Sequence, residues 1–291
     1  MRRMKQSFMP IQSATRAVPG VIDAHTHLSE RKDDYLKVYA ERNGLRYGLE
    51  ELLRLMKLND VALGLLLSSI AGSGVPLPNE DVLKLCARSR GRLLPVLTVE
   101  SSSKKVRNAV QLAKRNDGLV KAFKVMLGYG KTCAGNPVFN PLYDYAESIG
   151  LPVMFHTGDT AYVRGNLAYA HPLTLDALAN ERGDLTIVAC HFGNPWIDDV
   201  AELIYKHQNV YADISGLIVG GSKYVERYTD WLAERLSRAI YFAGGADKVI
   251  FGSDYPVTHP SMAISLVEKL EIDAGDRKRI LSENAKKVFR L

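Results

Sequence analysis

The chain has 291 residues, of which 46% are apolar and 24% charged, values near the soluble globular average that exclude a disordered or fibrous protein. Its formal charge of +6 is spread over mixed-sign segments such as EKLEIDAGDRKR and ERYTDWLAERLSR rather than gathered in a basic, aromatic-interleaved stripe, so nucleic acid is not an expected partner. No run reaches the roughly 20 apolar residues that span a bilayer, so no membrane association is expected, and Cys86, Cys133 and Cys190 form no CxxC pair, which points to a reducing cytoplasm.

Residues 1–20, MRRMKQSFMPIQSATRAVPG, carry four basic and no acidic residues but no continuous apolar segment. They read as an irregular N-terminal arm rather than a secretory signal. Residues 21–291 read as one domain in which aliphatic runs alternate with longer amphipathic segments. Eight strands are expected: VIDAH from Val21, VALGLLL from Val61, LLPVLTV from Leu93, LVKAFKVM from Leu119, LPVMFH from Leu151, LTIVACH from Leu185, VYADIS from Val210 and KVIFGSD from Lys248. Their nearly unbroken apolar character suits parallel strands buried on both faces. Between them, Asn79 followed by Glu80 and Asp81 reads as an N-cap, Pro195 as a first-turn residue, and Gly150 as a C-cap. The longest connection, Ser29 to Asn59, is expected to hold extra helix over one mouth. Eight strands in strict alternation with helices fit a (β/α)8 barrel. Neither G-x-G-x-x-G after the first strand nor a P-loop motif occurs, so no nucleotide cofactor is expected.

In such a barrel, chemistry gathers where the strands end. Four of the seven histidines fall there: His25 and His27 on strand one, His156 on strand five and His191 on strand six, with Asp254 ending strand eight. Alternation in an extended strand would place Asp23, His25 and His27 on one face. Asp23 sits one step deeper and reads as a supporting residue. Each residue taken singly could be an ordinary core histidine or turn aspartate, but buried polar groups at four strand ends cost free energy unless paired or bound to a metal. Imidazoles with one carboxylate suit Zn²⁺ or a related divalent ion, one or two in number, and such an ion brings a coordinated water to a pKa near ~7. Asp254 would take the proton of that water; His191 would polarise the substrate or protonate its leaving group. Lys124, in KAFKVM, would bind a substrate carboxylate or, if carbamylated, bridge two metals; the alternative is a lysine whose stem packs while its head reaches water. Thr157, Asp159 and Trp196 are candidates for the substrate pocket, while His171, His207 and His259 read as surface residues, His171 in HPLTLD being the one that could face the mouth.

The ordered set VIDAHTHL, VMFHTGDT, ACHFGNPW, VIFGSDYP and ILSENAKKVF resembles the amidohydrolase superfamily, in particular the amidohydrolase-related branch that includes decarboxylases of the aminocarboxymuconate-semialdehyde type. That resemblance implies that His25, His27, His156 and Asp254 are metal ligands and that His191 is a catalytic residue or a ligand of a second metal. It also makes a homodimer unsurprising. The chain is shorter than such decarboxylases usually are, which favours hydrolysis. The expectation is therefore a cytoplasmic metal-dependent hydrolase cleaving a C–N or C–O bond of a small amide, ester or lactone. A metal-dependent decarboxylase of an unsaturated or aromatic acid is the first alternative, and a barrel that only binds is the second.

Overall fold

Parallel strands β1 (Val21–His27), β2 (Val61–Leu67), β3 (Leu93–Val99), β4 (Ala122–Val125), β5 (Val153–Phe155), β6 (Ile187–Ala189), β7 (Val210–Asp213) and β8 (Val249–Ile250) pair in sequence order in a computed structural model that describes residues 20–291. All but the last residue of the expected N-terminal arm lies outside the described residues. The sheet curls back on itself where β1 meets the chain after β8. There Ala24 N donates to Phe251 O at 3.0 Å, Asp254 N to His25 O at 2.7 Å and His27 N to Tyr255 O at 2.7 Å, so the eight strands form a (β/α)8 barrel.

Two apolar layers follow from the alternation of the strands. Outward residues such as Leu97, Phe123, Phe155, Ile187 and Phe251 pack in the core beneath the helices. Inward residues Ile22, Ala24, Leu65, Val96, Ala122, Met154, Val188 and Ile250 fill the barrel, with Ala285, Val288 and Phe289 of the C-terminal helix in the same cluster. One step further along the same inward faces the residue type changes: Lys124 follows Ala122, His156 follows Met154, and Asp213 follows the half-buried Tyr211. The polar layer rests directly on the apolar floor.

Strand β1 breaks its own alternation. Asp23 pairs with Gly64 and Thr26 with Leu66, so three steps on β1 match two on β2. The extra residue is a bulge, which re-aims side chains beyond it. Asp23 therefore does not share a face with His25 and His27, as simple alternation required. Its carboxylate accepts the backbone N–H of His25 at 3.2 Å and of Ser253 at 2.8 Å, joining β1 to the segment after β8.

The connections correct several local expectations. Asn79 opens the first turn of the Asn79–Arg88 helix behind an N-cap at Pro78; its side chain instead takes both backbone groups of Thr98, at 2.8 and 2.9 Å. Pro195 precedes a helix that starts only at Ile197, with Asp198 and Asp199 in its first turn where the helix dipole favours them. Gly150 does cap the Asn140–Ile149 helix in the left-handed conformation, φ 64°. Between β1 and β2, the helix Lys37–Arg42 and the preceding Leu36 bring Leu36 and Tyr39 over the mouth, and the helix Leu49–Leu58 buries Leu49, Leu52, Leu55 and Met56 in the outer core.

Candidate active site

A cavity of about 450 Å³ opens at the C-terminal ends of the strands, lined by His25, His27, Lys124, His156, His191 and Asp254 among others. Asp159 lines it too, as an exposed residue at the rim. Thr157 and Trp196 do not. Thr157 is buried and donates to Cys190 O at 2.6 Å, while the Trp196 ring lies against that of His171 at 4.7 Å between centroids. His171, His207 and His259 also stay out of the cavity, but they are not plain surface residues. His207 is only 6% exposed and its Nε2 lies 2.7 Å from Asp176 Oδ1; His171 and His259 cap short helical segments.

The hydrogen bonds behind the rings fix which nitrogen faces inward. A backbone carbonyl only accepts, so a ring nitrogen in contact with one must carry the proton. His27 Nδ1 donates to Ser68 O at 2.8 Å, His156 Nε2 to Asp159 O at 2.8 Å and His191 Nδ1 to Ser215 O at 3.1 Å. His25 Nδ1 donates to Asp213 Oδ2 at 2.9 Å. Four lone pairs remain, on His25 Nε2, His27 Nε2, His156 Nδ1 and His191 Nε2. Rings fixed from behind by a carboxylate or carbonyl are the common arrangement for metal-binding histidine.

Those lone pairs lack protons to share. His25 Nε2 is buried without a hydrogen-bond partner. His156 Nδ1 and His191 Nε2 approach to 3.1 Å, so two neutral rings would face each other lone pair to lone pair. A third proton would cure this, but burial pushes both rings below the ordinary imidazole pKa, and for His156 the neighbouring His191 and Lys124 push further. Burial and then Lys124 push His25 down to about 3. A divalent cation satisfies the same lone pairs at no cost in protons.

The carboxylates complete the set. Asp254 Oδ1 lies 3.2 Å from His27 Nε2 and 3.7 Å from His25 Nε2, and ligand atoms of these three residues lie within 4.8 Å of one another. Burial pushes the Asp254 carboxyl up, but the His27, His191 and His25 rings beside it push it further down, below the ordinary carboxylate value. With His27 Nδ1 protonated, its Nε2 and Asp254 Oδ1 face each other as two acceptors, which again calls for a cation between them. Asp213 also lies near His25 and His191. Its oxygens are already committed, accepting from His25 Nδ1, from the backbone N–H of His191 at 2.9 Å and of Ser215 at 3.1 Å, and from Ser215 Oγ at 2.5 Å. Asp213 thus orients rings. Asp23, pushed up to about 7 by burial, sits behind the strand ends.

Asp213, Ser215, Ser68 and Gly216 are absent from the sequence reading. The first is the inward residue that ends β7, the same signal that marks His156 on β5. Gly216 has φ +68°, and a Cβ there would lie 2.5 Å from Asp254 Oδ2 and 3.1 Å from His191 Nδ1. His191 and Asp254 are themselves left-handed, with φ 60° and 59°. Non-glycine residues held this way concentrate at functional sites.

No curated protein sequence matches the chain. Among solved structures, an uncharacterized TIM-barrel protein from Bordetella bronchiseptica superposes with a TM-score of 0.72 at 18% identity, over 93% of this chain and 98% of that one. An amidohydrolase from Burkholderia multivorans with bound zinc gives 0.68 at 16% identity, covering 94% and 99%. A 2,6-dihydroxybenzoate decarboxylase from Rhizobium gives 0.65 at 18% identity, covering 93% and 98%. These likenesses establish the barrel fold. The family model described as Amidohydrolase matches residues 22–291, nearly the whole described barrel, and the chain belongs to that family.

Proposed function

We propose that the protein is a metal-dependent hydrolase that cleaves a C–N or C–O bond of a small amide, ester or lactone. The observation that carries this reading is the set of four imidazoles pinned from behind, with lone pairs left facing a cavity beside an ionised Asp254. His25, His27, His156 and Asp254 would hold a divalent ion, with His191 beside them or binding a second one. Zn²⁺ is the ion assigned first, since an imidazole-rich set with one carboxylate suits it; the zinc in the Burkholderia multivorans structure supports the choice. A bound ion of this kind supplies Lewis acidity and brings the pKa of water to near ~7.

The chain's own residues carry the protons. Asp254, kept ionised by its histidine neighbours, accepts a proton from the attacking water as the water oxygen bonds to the substrate carbonyl carbon. As the C–N or C–O bond breaks, the departing atom takes that proton back. His191, whose Nδ1 lies 4.0 Å from Asp254 Oδ2, is the second group placed to protonate the leaving atom. The net change is the addition of one water.

The test is a panel of lactones, esters, amides and unsaturated or aromatic acids offered to the metal-replete protein, with products weighed by mass spectrometry. Gain of one water by a lactone, ester or amide supports the reading. Loss of CO₂ from an acid with no water gained, and no hydrolysis across the panel, would replace it with the decarboxylase, the reaction named for the Rhizobium structure.

A further inference from the structure

Lys124 stands on β4 two residues above the apolar floor, 1% exposed, and lines the cavity. Its Nζ is buried and has no hydrogen-bond partner. The desolvation of an ammonium group is expensive unless an anion or several acceptors repay it. The neighbouring acid Asp213 has both oxygens engaged by His25, Ser215 and the backbone of His191, and makes no ion pair with it. The lysine's other neighbours are His25, His156 and His191, rings that its charge helps keep neutral, and Cys190, whose thiol burial pushes well above its ordinary pKa so that it stays uncharged. The lysine therefore raises the positive potential at the base of the cavity without being neutralised by the protein.

The remaining wall is largely apolar. Leu36, Tyr39, Ile70, Met126, Tyr129 and Leu217 surround the space above Lys124. Among the described residues that line the cavity, Lys124 is the one Lys or Arg side chain.

We propose that Lys124 is the receptor for a single carboxylate of the substrate, so that the site selects compact monoanions with an apolar body about one ring in size. The proposal rests on the hydrolase reading for the identity of the reaction, but not for the binding. One buried ammonium pairs with one carboxylate; away from the metal ligands, a second negative charge would have to enter among tyrosines and aliphatic side chains with no further Lys or Arg lining the cavity to meet it. A neutral analogue of the same shape would leave the ammonium unpaired.

The experiment uses the metal-replete protein and three probes of like shape, benzoate, benzamide and isophthalate, with binding measured calorimetrically in the parent protein, Lys124→Met and Lys124→Arg. Methionine keeps the length of the stem and removes a buried charge, so the barrel should melt at the same temperature or higher. The parent protein is expected to prefer benzoate over both isophthalate and benzamide. In Lys124→Met, benzoate binding should weaken by about tenfold or more, as for a lost charge-assisted hydrogen bond, with benzamide unchanged and Lys124→Arg recovering part of the loss. Unchanged benzoate affinity in Lys124→Met overturns the assignment, as does isophthalate binding as tightly as benzoate. A fall in metal content measured by elemental analysis of Lys124→Met also overturns it, and would assign the side chain to the metal as a carbamate. Absence of hydrolysis with normal benzoate selectivity would refute the reaction proposed above and leave the carboxylate receptor standing.

Discussion

Inside the barrel, the floor and the mouth are built from the same strands, one inward step apart, yet they are stabilised in opposite ways. On the floor, Ala122, Met154 and Val188 are wholly buried and apolar, and each contributes by leaving water and filling space. At the mouth, Lys124, His156 and Asp213 are also buried, but each costs free energy that must be met by hydrogen bonds, by a metal or by a ligand. The floor is satisfied within the chain. The mouth is satisfied within it only from behind, through Ser68, Asp159, Asp213 and Ser215, and its inward atoms are left for something else. The contrast locates the site without reference to any relative.

The largest way to break the comparison is to remove chemistry at the mouth while leaving the floor intact. Asp254→Asn, assayed with excess metal because the side chain would also hold the ion, should lower kcat/KM by at least about 10²–10⁴-fold, the range for loss of a general base, and should weaken metal binding while the barrel stays folded. The converse substitution, Met154→Ala on the floor, should cost about 2–5 kcal/mol of stability as a buried cavity opens. Metal stoichiometry by elemental analysis should remain that of the parent. Loss of metal in Met154→Ala would show that floor and mouth are not separable.

Acid tests chiefly the mouth: His259, outside the cavity, is shifted in the same direction as its rings, and Asp23, pushed up to about 7 by burial, opposes them because its protonation favours the folded chain. His25 is held neutral in the folded chain down to about 3, against an ordinary value of 6.5. A base with a lowered folded pKa is protonated first in the unfolded chain, so lowering the pH from 6.5 towards 3 favours unfolding. The sign holds for His156 and His191, both shifted the same way. In thermal melts of metal-stripped protein, the midpoint should fall as pH drops below about 6.5, while His25→Gln should flatten that dependence by removing one titrating ring. An equally steep dependence in the variant would remove His25 from the account.

The floor was far more legible in the sequence than the mouth's support. Seven of the eight runs contain the strands found, and β1 goes two residues past VIDAH to His27, because continuous aliphatic stretches bounded by helical segments admit few other readings. The inward histidines and Asp254 were also visible, as polar residues closing apolar runs. The Asp23 alternation failed because a bulge leaves no mark in the residue types of VIDAHTH, and only pairing with β2 reveals the extra step. Nearness along the chain puts Trp196 and Thr157 at the pocket, yet the turn after β6 sends the indole to His171 and Thr157 folds back onto Cys190. Asp213 was missed because an aspartate within VYADIS reads as part of a strand, and its partner His25 lies 188 residues away. Support of this kind is set by which strand ends meet across the barrel, which no local pattern encodes.

Asp213 gives the smallest and most discriminating prediction. Asn at this position has nearly the same shape, and its carbonyl oxygen can keep the backbone N–H groups of His191 and Ser215, which meet Oδ1. The amide nitrogen then replaces Oδ2 against His25 Nδ1. Two N–H donors cannot face each other, so the ring must move its proton to Nε2, where the lone pair now points into the cavity. The loss is of a lone pair and not of a residue. Metal affinity, measured by competition with a chromophoric chelator, should fall by about 10–100-fold, as for other supporting partners of metal-binding histidine. Activity should return when excess metal is supplied, because Asp254 and the remaining rings are untouched. If Asp213→Asn keeps full affinity, the tautomer of His25 is not set from behind, and the division between satisfied outer atoms and unsatisfied inner ones fails at its most buried ring.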